Sequence, residues 1–401
     1  MKIGILTYYR TGNFGANLQA VSTYNYLKKH GHEIIFLHYL SRYTNYVETK
    51  SERVNSQIAE HYHFVDEELP KQSGKIFNVK ELWNVIESEH IDGILIGSDA
   101  VLQHFPLFST LRWGQGIKAW LRPIQGERRF PNIFWGAGFS EKIPTAMISV
   151  SSQNSPYTKW CGSTKKCMAK CLESMRFISV RDEWTQKLVN SVSPSINPDI
   201  TPDPVFAFNQ NAGQLVPTKE EVCRKFGLSD NYALVGLRRN YLSNETLKEI
   251  ELRFQKRNVQ CVAFPVLTPS HLPYNKKINL PLNPIYWYAL IKYATAYIGN
   301  NMHPIVISLH NAVPCFSIDN WGTTNFWGKR IDDGSSKVQD ILNRYGLSKN
   351  RSVITDGRSM VTADEIFEAL DNYDKQKVSE ISALQYERYD EMMQKCLKVL
   401  V

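Results

Sequence analysis

Residues 295–318 read TAYIGNNMHPIVISLHNAVPCFSI, and this stretch decides the fold class. It contains a short apolar run at residues 295–299, a segment with helical spacing at 303–311 and a second apolar run at 314–318. A strand, a helix and a strand in this order form a βαβ unit, whose two strands lie parallel in one sheet. The stretch therefore predicts a parallel sheet covered by helices.

The same alternation extends outward from this stretch in both directions. It predicts further strands at residues 2–8, 33–39, 91–97, 132–137, 177–180, 204–208, 232–237 and 259–264. It predicts further helices at residues 16–30, 79–89, 159–173, 182–191, 244–256, 284–294, 337–345, 362–372 and 375–400. Residues 42–75 are polar, aromatic-rich and weakly periodic, so we treat them as an insertion without an assigned structure. The predicted fold class is α/β.

A polar segment without a clear pattern, around residues 208–217, separates two such series. Because 401 residues exceed what one hydrophobic core usually supports, we expect two domains, at residues 1–210 and 211–401. Each is expected to be a Rossmann-like parallel sheet, the two domains facing a cleft with ligands at the carboxyl ends of the strands. We also expect the long C-terminal helix to pack back on the first domain.

Composition and charge exclude several classes of protein. Lys and Arg number 47 against 39 Asp and Glu, and the net charge of +8 is too diffuse to indicate a nucleic-acid site. No apolar run approaches the roughly 20 residues that span a bilayer, and the first residues do not resemble a secretory signal. We therefore expect a cytoplasmic protein. Its 7 cysteines lack the spacing of metal ligands, so we expect free thiols, no metal and no resident cofactor, and the oligomeric state is not predicted.

The first predicted strand leads into a loop that contains Gly12 and Gly15. Glycines let a loop approach a ligand closely, and free amides at a helix start attract anions. The side chains of Asn13, Asn17 and Gln19 favour a polar loop that binds sugar hydroxyls. A purely structural turn is the alternative, because this glycine spacing is not the dinucleotide-binding pattern.

Ser98 and Asp99 follow another predicted strand, where open α/β sheets keep their functional groups. Asp99 is either a general base or a cap of the next turn. Arg181 also ends a strand and precedes Asp182, which begins a helix. Its guanidinium can bind a carboxylate or a phosphate with two parallel hydrogen bonds, and a surface pair between Arg181 and Asp182 is the alternative.

The opening stretch itself places polar groups at a strand end and a helix start. Asn300 and Asn301 follow the strand, His303 lies at the start of the helix, and Pro304 fits the first helical turn. An imidazole at the positive end of a helix dipole indicates an anion pocket with a titratable group. The alternative is a structural histidine.

Taken in order, several segments resemble the polysaccharide pyruvyl transferase family. They are NFGANLQAVSTYNYLKKHGHEI at residues 13–34, IGSDAVLQ at 96–103, NIFWGAGFS at 132–140, FISVRDEWTQKLV at 177–189, TPDPVF at 201–206 and GNNMHPIVISLHNAVPCF at 299–316. The resemblance implies a glycosyltransferase-B-like enzyme that transfers a pyruvyl unit from phosphoenolpyruvate to a sugar, usually as a cyclic ketal. It implies an acceptor side in the first domain and a donor side in the second, with Arg181 and His303 associated with the donor.

The chain departs from the pattern of this family at two blocks. Family members carry Arg, or Ser in some branches, two positions before the histidine and Gly after it, where this chain has Asn301 and Pro304. The aspartate block continues with residues 100–102, Ala-Val-Leu, instead of the usual Gln-Val-Trp. A missing guanidinium removes charge-assisted bonds worth roughly 1.5–3 kcal/mol each. Arg238 and Arg239 are candidates to replace it, and the alternatives are a different donor or lost activity.

Residues 111–130 read LRWGQGIKAWLRPIQGERRF, in which basic residues alternate with tryptophans. This composition suits contact with anionic lipid headgroups or with a lipid-linked glycan, whereas a solvated basic loop is the alternative. We therefore expect phosphoenolpyruvate and a saccharide acceptor as partners, at the inner face of the membrane if the acceptor is lipid-linked. A nucleotide-sugar-dependent glycosyltransferase and a catalytically silent glycan-binding protein remain the alternatives.

Overall fold

The computed structural model describes residues 1–42, 44–45, 55–106, 126–266, 272–319, 322–324, 330–355 and 357–400. Within these residues the chain divides into two compact units. The first contains Met1–Ala212 and the last helix from Tyr386 onward, and the second contains Gly213–Thr323 and the stretch that ends at Gln385. We drew the boundary after residue 210 and assigned the whole terminal helix to the second domain, whereas the structure divides the chain after Ala212 and places the helix from Tyr386 onward in the first unit.

The first unit is built on a six-stranded parallel sheet with the order β2-β1-β3-β4-β5-β6. The strands are β1 (Lys2–Leu6), β2 (Glu33–Phe36), β3 (Gly93–Asp99), β4 (Thr145–Val150), β5 (Phe177–Val180) and β6 (Asp199–Ile200). The helices are α1 (Phe14–Lys29), α2 (Ser56–Glu68), α3 (Val79–Ser88), α4 (Gly162–Glu173), α5 (Glu183–Val192) and α6 (Phe208–Ala212). Helices on the sheet bury the strands, which explains why β1 and the first part of β3 are nearly continuous apolar runs.

The second unit has its own six-stranded parallel sheet, with the order β14-β11-β10-β7-β8-β9, and its own hydrophobic core. The strands are β7 (Tyr232–Gly236), β8 (Gln260–Ala263), β9 (Lys276–Lys277), β10 (Ala296–Gly299), β11 (Cys315–Asp319), β12 (Thr323–Thr324), β13 (Arg330–Ile331) and β14 (Arg351–Val353), of which β12 and β13 form a separate pair. The helices are α7 (Lys219–Phe226), α8 (Asn244–Lys256), α9 (Pro284–Lys292), α10 (Met302–His310), α11 (Lys337–Arg344), α12 (Ala363–Asp371) and α13 (Lys375–Leu400), whose residues from Tyr386 onward belong to the first unit. The α/β class and both parallel sheets confirm the predicted fold class.

Two predicted strands are wrong. Ile133–Trp135 is a 3₁₀ helix that ends at Gly136 with a φ of 78°, although its apolar aromatic run reads as a strand. Pro204–Ala207 is also a 3₁₀ helix, because the Asp203 side chain accepts a hydrogen bond from the Val205 amide and caps it. The strand β4, in which Thr145 and Ser149 interrupt the apolar residues, is absent from the prediction, and residues 42–75 contain α2.

The C-terminal helix α13 contributes to the core of the first unit. Tyr389, Met393 and Cys396 are fully buried there, and the Tyr389 ring packs edge-to-face on Tyr26 of α1. The Tyr26 hydroxyl donates a 2.7 Å hydrogen bond to Asp390. The first unit therefore uses residues from both ends of the described chain.

Candidate functional site

The carboxyl end of β3 carries Ser98 and Asp99, beside the loop that follows β1. The Thr7 hydroxyl donates a 2.6 Å hydrogen bond to the Ser98 carbonyl and so joins the ends of these two neighbouring strands. Ser98 is buried, and its hydroxyl has no hydrogen-bond partner in the described part of the chain. Gly97 has a φ of 104°, and a Cβ atom there would lie 2.5 Å from the Ile148 carbonyl oxygen, so this turn requires glycine.

The backbone of Asp99 adopts a φ of 87°, which is uncommon outside glycine. Its carbonyl accepts hydrogen bonds from the amides of Val101 and Ser151, at 2.9 and 2.8 Å, and its carboxylate accepts one from Ala100 at 2.7 Å. Non-glycine residues in this region often lie at functional sites, because the surroundings must hold them there. The geometry thus supports both sequence interpretations, since Asp99 contacts the next amide and stays partly exposed.

The start of α1 uses its polar residues mainly to build the loop. Asn13 is the N-cap of the helix and accepts a hydrogen bond from the Gly15 amide, so this amide is not free for an anion. Asn17 is fully buried, donates to the Thr11 carbonyl and lies 3.0 Å from His61 Nδ1. Of the predicted acceptor residues here, Asn13 is exposed and Gly12 is half-buried, whereas Gly15 and Asn17 are buried.

Arg181 lies at the carboxyl end of β5 inside a cluster of carboxylates. Its Nη1 donates a 2.5 Å hydrogen bond to Asp203, and its Nη2 lies 3.9 Å from Asp99. The side chain is 3% exposed, and its Nε and Nη2 have no hydrogen-bond partner among the described residues. The structure therefore brings two predicted site residues, Arg181 and Asp99, close together.

The electrostatic environment of this guanidinium is dominated by acidic groups. Burial lowers the pKa of Arg181, but the carboxylates of Asp203, Asp99 and Asp182 outweigh burial and raise it overall. Asp182 itself caps α5 and accepts a hydrogen bond from Ser151. The predicted alternative of a surface pair between Arg181 and Asp182 does not describe this arrangement, because both residues are buried.

Asp203 and Gln19 take part in this cluster in a way that the sequence did not predict. Gln19 Nε2 donates a 2.5 Å hydrogen bond to the same Asp203 oxygen that binds Arg181. The two residues are 184 positions apart in the chain, and both are buried. The available signal for Asp203 was an aspartate followed by proline within the segment TPDPVF.

In the second unit, the ends of β7 and β10 lie side by side with Gly236 opposite Gly299. The Asn300 side chain is buried, and its oxygen accepts a 3.2 Å hydrogen bond from the Arg238 amide. Arg238 and Arg239 are exposed, and neither forms an ion pair with a residue that the structure describes. The structure thus brings Arg238 and Asn300 together at the carboxyl edge of this sheet.

The helix α10 begins at this same edge. Asn301 is its N-cap, but its side chain makes no capping hydrogen bond. His303 is the second residue of the helix and is partly exposed, and Pro304 follows in the first turn as predicted. The exposed arginines and the positive end of the helix give this edge the character of an anion site.

Three further predictions concern the basic segment, a metal site and a membrane-spanning helix. Most of the basic and tryptophan-rich segment 111–130 lies outside them, and only residues 126–130 are described. Among the described residues, no group of three or more His, Cys, Asp or Glu side chains is arranged to hold a metal ion. Within the same residues, no helix combines the length and the apolar character that crossing a membrane requires.

Comparison with known proteins agrees with the resemblance seen in the sequence. Residues 13–322 match the family described as polysaccharide pyruvyl transferase. No protein with a curated description matches the chain by sequence.

Solved structures of low sequence identity share the fold. The S. aureus MnaA structure with UDP matches with a TM-score of 0.52 at 9% identity, covering 99% of this chain and 97% of that one. The UDP-N-acetylglucosamine 2-epimerase from Rickettsia bellii also has a TM-score of 0.52 at 9% identity, with 100% and 97% covered. A glycosyltransferase from Rickettsia africae matches with a TM-score of 0.50 at 11% identity, with 100% and 97% covered. At these identities the likeness describes the fold alone.

Proposed function

Because the chain belongs to the polysaccharide pyruvyl transferase family, we propose that it transfers a pyruvyl group from phosphoenolpyruvate to a sugar of a surface polysaccharide or of its precursor. The observation that carries the proposal is this family match over residues 13–322 of the 401. The carboxyl edge of the second sheet, where Asn300 binds the Arg238 amide and α10 begins, supports it.

The proposed reaction converts phosphoenolpyruvate and a sugar diol into a pyruvyl ketal and inorganic phosphate. A proton is added to the methylene carbon, which becomes a methyl group, and the neighbouring carbon becomes electrophilic. One sugar hydroxyl bonds to that carbon and gives up its proton. The second hydroxyl bonds there as the carbon–oxygen bond to phosphate breaks, and its proton leaves with the phosphate. The reaction needs an acid, a base and cations for the donor.

We assign the donor to the second unit. Arg238 and Arg239 are exposed cations without an acidic partner among the described residues, and they take the place of the arginine that Asn301 replaces. The amides at the start of α10 add a positive potential. His303 is assigned as the acid that protonates the donor or as a phosphate contact, and Asn300 holds the loop that carries Arg238.

We assign the acceptor to the first unit, where Asn13 is exposed and Gly12 and Asp99 are partly exposed. Asp99 is the proposed general base for the attacking hydroxyl. A lipid-linked acceptor at a membrane surface is part of the proposal, and the basic and aromatic composition of residues 111–130 supports it.

The decisive experiment incubates the purified protein with phosphoenolpyruvate and a panel of saccharides that carry neighbouring hydroxyl groups. We expect release of inorganic phosphate and a mass increase on the sugar that corresponds to a pyruvyl ketal. Arg238→Ala and Arg239→Ala should raise KM for phosphoenolpyruvate, since charge-assisted bonds contribute about 1.5–3 kcal/mol. Arg257→Ala, directly after α8, is the matched control and should leave KM unchanged.

Other results would select the remaining alternatives. Turnover or thermal stabilisation with a nucleotide sugar, but not with phosphoenolpyruvate, would indicate a glycosyltransferase. Saccharide binding without turnover, unchanged by His303→Ala, would indicate a glycan-binding protein. Activity that depends strictly on a divalent cation would contradict the expectation of a reaction without a metal.

A further inference from the structure

A buried series of hydrogen bonds runs from α1 to the end of β5 in the first unit. Gln19 donates to Asp203 at 2.5 Å, and Arg181 donates to the same carboxylate. The free side of the guanidinium lies 3.9 Å from Asp99. The series thus links four chain segments through side chains alone, and none of its contacts is a backbone hydrogen bond of a strand or a helix.

The charges around Arg181 do not suit a phosphorylated donor. Three carboxylates, those of Asp99, Asp182 and Asp203, act on one guanidinium. A donor that carries a carboxylate and a phosphate would add negative charge to this acidic cluster, where like charges repel. With 3% of its side chain exposed, Arg181 is also poorly accessible to such a ligand.

Asp99 differs from Asp203 in its access to solvent. The Asp99 side chain is 13% exposed, whereas that of Asp203 is 1% exposed. Of these two partners of Arg181, a substrate hydroxyl can therefore reach Asp99. The Asp99 carbonyl accepts two hydrogen bonds from amides and its carboxylate accepts a third, and together with the strained backbone they keep this carboxylate at one place on the carboxyl edge.

We infer that Gln19 and Asp203 position Arg181, and that Arg181 positions the carboxylate of Asp99 as the base for the acceptor hydroxyl. This inference rests on the proposed function for its reaction, and it moves Arg181 from the donor to the acceptor side. As the hydroxyl oxygen bonds to the electrophilic carbon of the donor, its proton passes to Asp99. Arg181, Asp203 and Gln19 act as positioning residues and do not touch the substrate.

The first test measures whether substitutions of Asp203 and Gln19 change kcat or KM. Asp203→Asn should lower kcat about 10²-fold, within the range of a misplaced general base, with KM for phosphoenolpyruvate changed less than about threefold. Gln19→Leu keeps a side chain of similar volume but removes one hydrogen bond to a charged group. It should therefore lower kcat about tenfold. A rise in KM for phosphoenolpyruvate with unchanged kcat would overturn the inference, because it would place Arg181 on the donor.

The second test repeats both substitutions in an Asp99→Asn background. If the buried series acts through Asp99, Asp203→Asn should change the residual kcat by less than about twofold there, since groups that act as a unit are not additive. The same fold-loss in both backgrounds would overturn the inference and leave a purely structural role. Gln19→Leu keeps the test available if Asp203→Asn does not fold.

Asp319→Asn is the matched control. Asp319 and Arg351 form a comparably buried pair in the second unit, with an oxygen-to-nitrogen distance of 2.7 Å. This variant should lower the Tm while leaving the ratio of rates in the two Asp99 backgrounds unchanged. The wild-type rate with phosphoenolpyruvate tests the proposed function separately, and if that rate is zero the same cycle is run with a nucleotide sugar as donor.

Discussion

His303 occupies the second position of α10, in the first turn after the cap residue Asn301. A proton donor placed there would be worth about 10²–10⁴ in rate. We expect His303→Ala to lower kcat by that factor. His303→Asn keeps a hydrogen-bond donor without a titratable proton, so it should be equally slow if His303 is the acid.

The control for this prediction is His63→Ala, in α2, whose side chain is 68% exposed. It should retain wild-type kcat. Near-normal turnover by His303→Asn would restrict His303 to anion contact, and full activity of both variants with an intact fold would make it a structural residue.

The buried histidine His61 predicts how stability depends on pH. Burial lowers the pKa of His61 from its usual value to about 4, and the side chain lies 3.0 Å from Asn17. The unfolded chain therefore binds a proton here more readily than the folded chain does. The contribution to stability is complete above pH 6.5 and is lost as the pH falls towards 4.

Urea denaturation at a series of pH values measures this effect. The free energy of unfolding should fall between pH 6.5 and 4, and His61→Leu should fall less steeply over the same interval. A parallel decline in both proteins would show that other groups carry the acid sensitivity.

At the scale of elements, the end of β3 depends on Gly97. Its φ of 104° disfavours any residue that has a side chain. An added Cβ atom would also lie only 2.8 Å from Val150 Cγ1. Gly97→Ala should destabilise the protein by at least about 1–3 kcal/mol and lower kcat, because Ser98 and Asp99 follow directly. Thermal unfolding and turnover measure the two effects.

Gly162→Ala is the matched control, since a Cβ atom there meets nothing within 4 Å. In the first turn of α4 alanine should be neutral or slightly stabilising. An unchanged Tm for Gly97→Ala would mean that the β3 turn relaxes easily, and the assigned position of Asp99 would lose its support.

At the scale of the whole molecule, the first unit is completed by the C-terminal helix α13. Tyr389 is fully buried against Tyr26, so Tyr389→Ala should destabilise the protein by about 3–5 kcal/mol, the usual cost of removing a buried ring. The exposed neighbour Glu391→Ala should change stability by less than about 0.5 kcal/mol. Urea denaturation compares the two, and equal stabilities would contradict a structural role for this helix.

Most helices and the central strands could be predicted because their signals are local. The helix predicted at residues 244–256 coincides with α8, and α10 begins one residue before its predicted start. The strand β4 and the 3₁₀ helix Ile133–Trp135 could not be predicted from the local residue pattern. Burial decides the strand, and a turn at Gly136 decides the helix. Strand ends and a helix start marked Asp99, Arg181 and His303, whereas nothing local indicated that Asp203 binds both Arg181 and Gln19.

The sequence by itself determined the α/β class, the two series of strands and the family, because hydrophobic periodicity and ordered motifs are written along the chain. Only the tertiary structure decided that Arg181 lies among Asp99, Asp182 and Asp203, and that Gln19 binds Asp203 from 184 residues away. The physical reason is that the order of parallel strands, β3-β4-β5-β6, sets which strand ends meet, and long-range packing rather than local pattern selects that order. The charge that a side chain experiences follows from those neighbours.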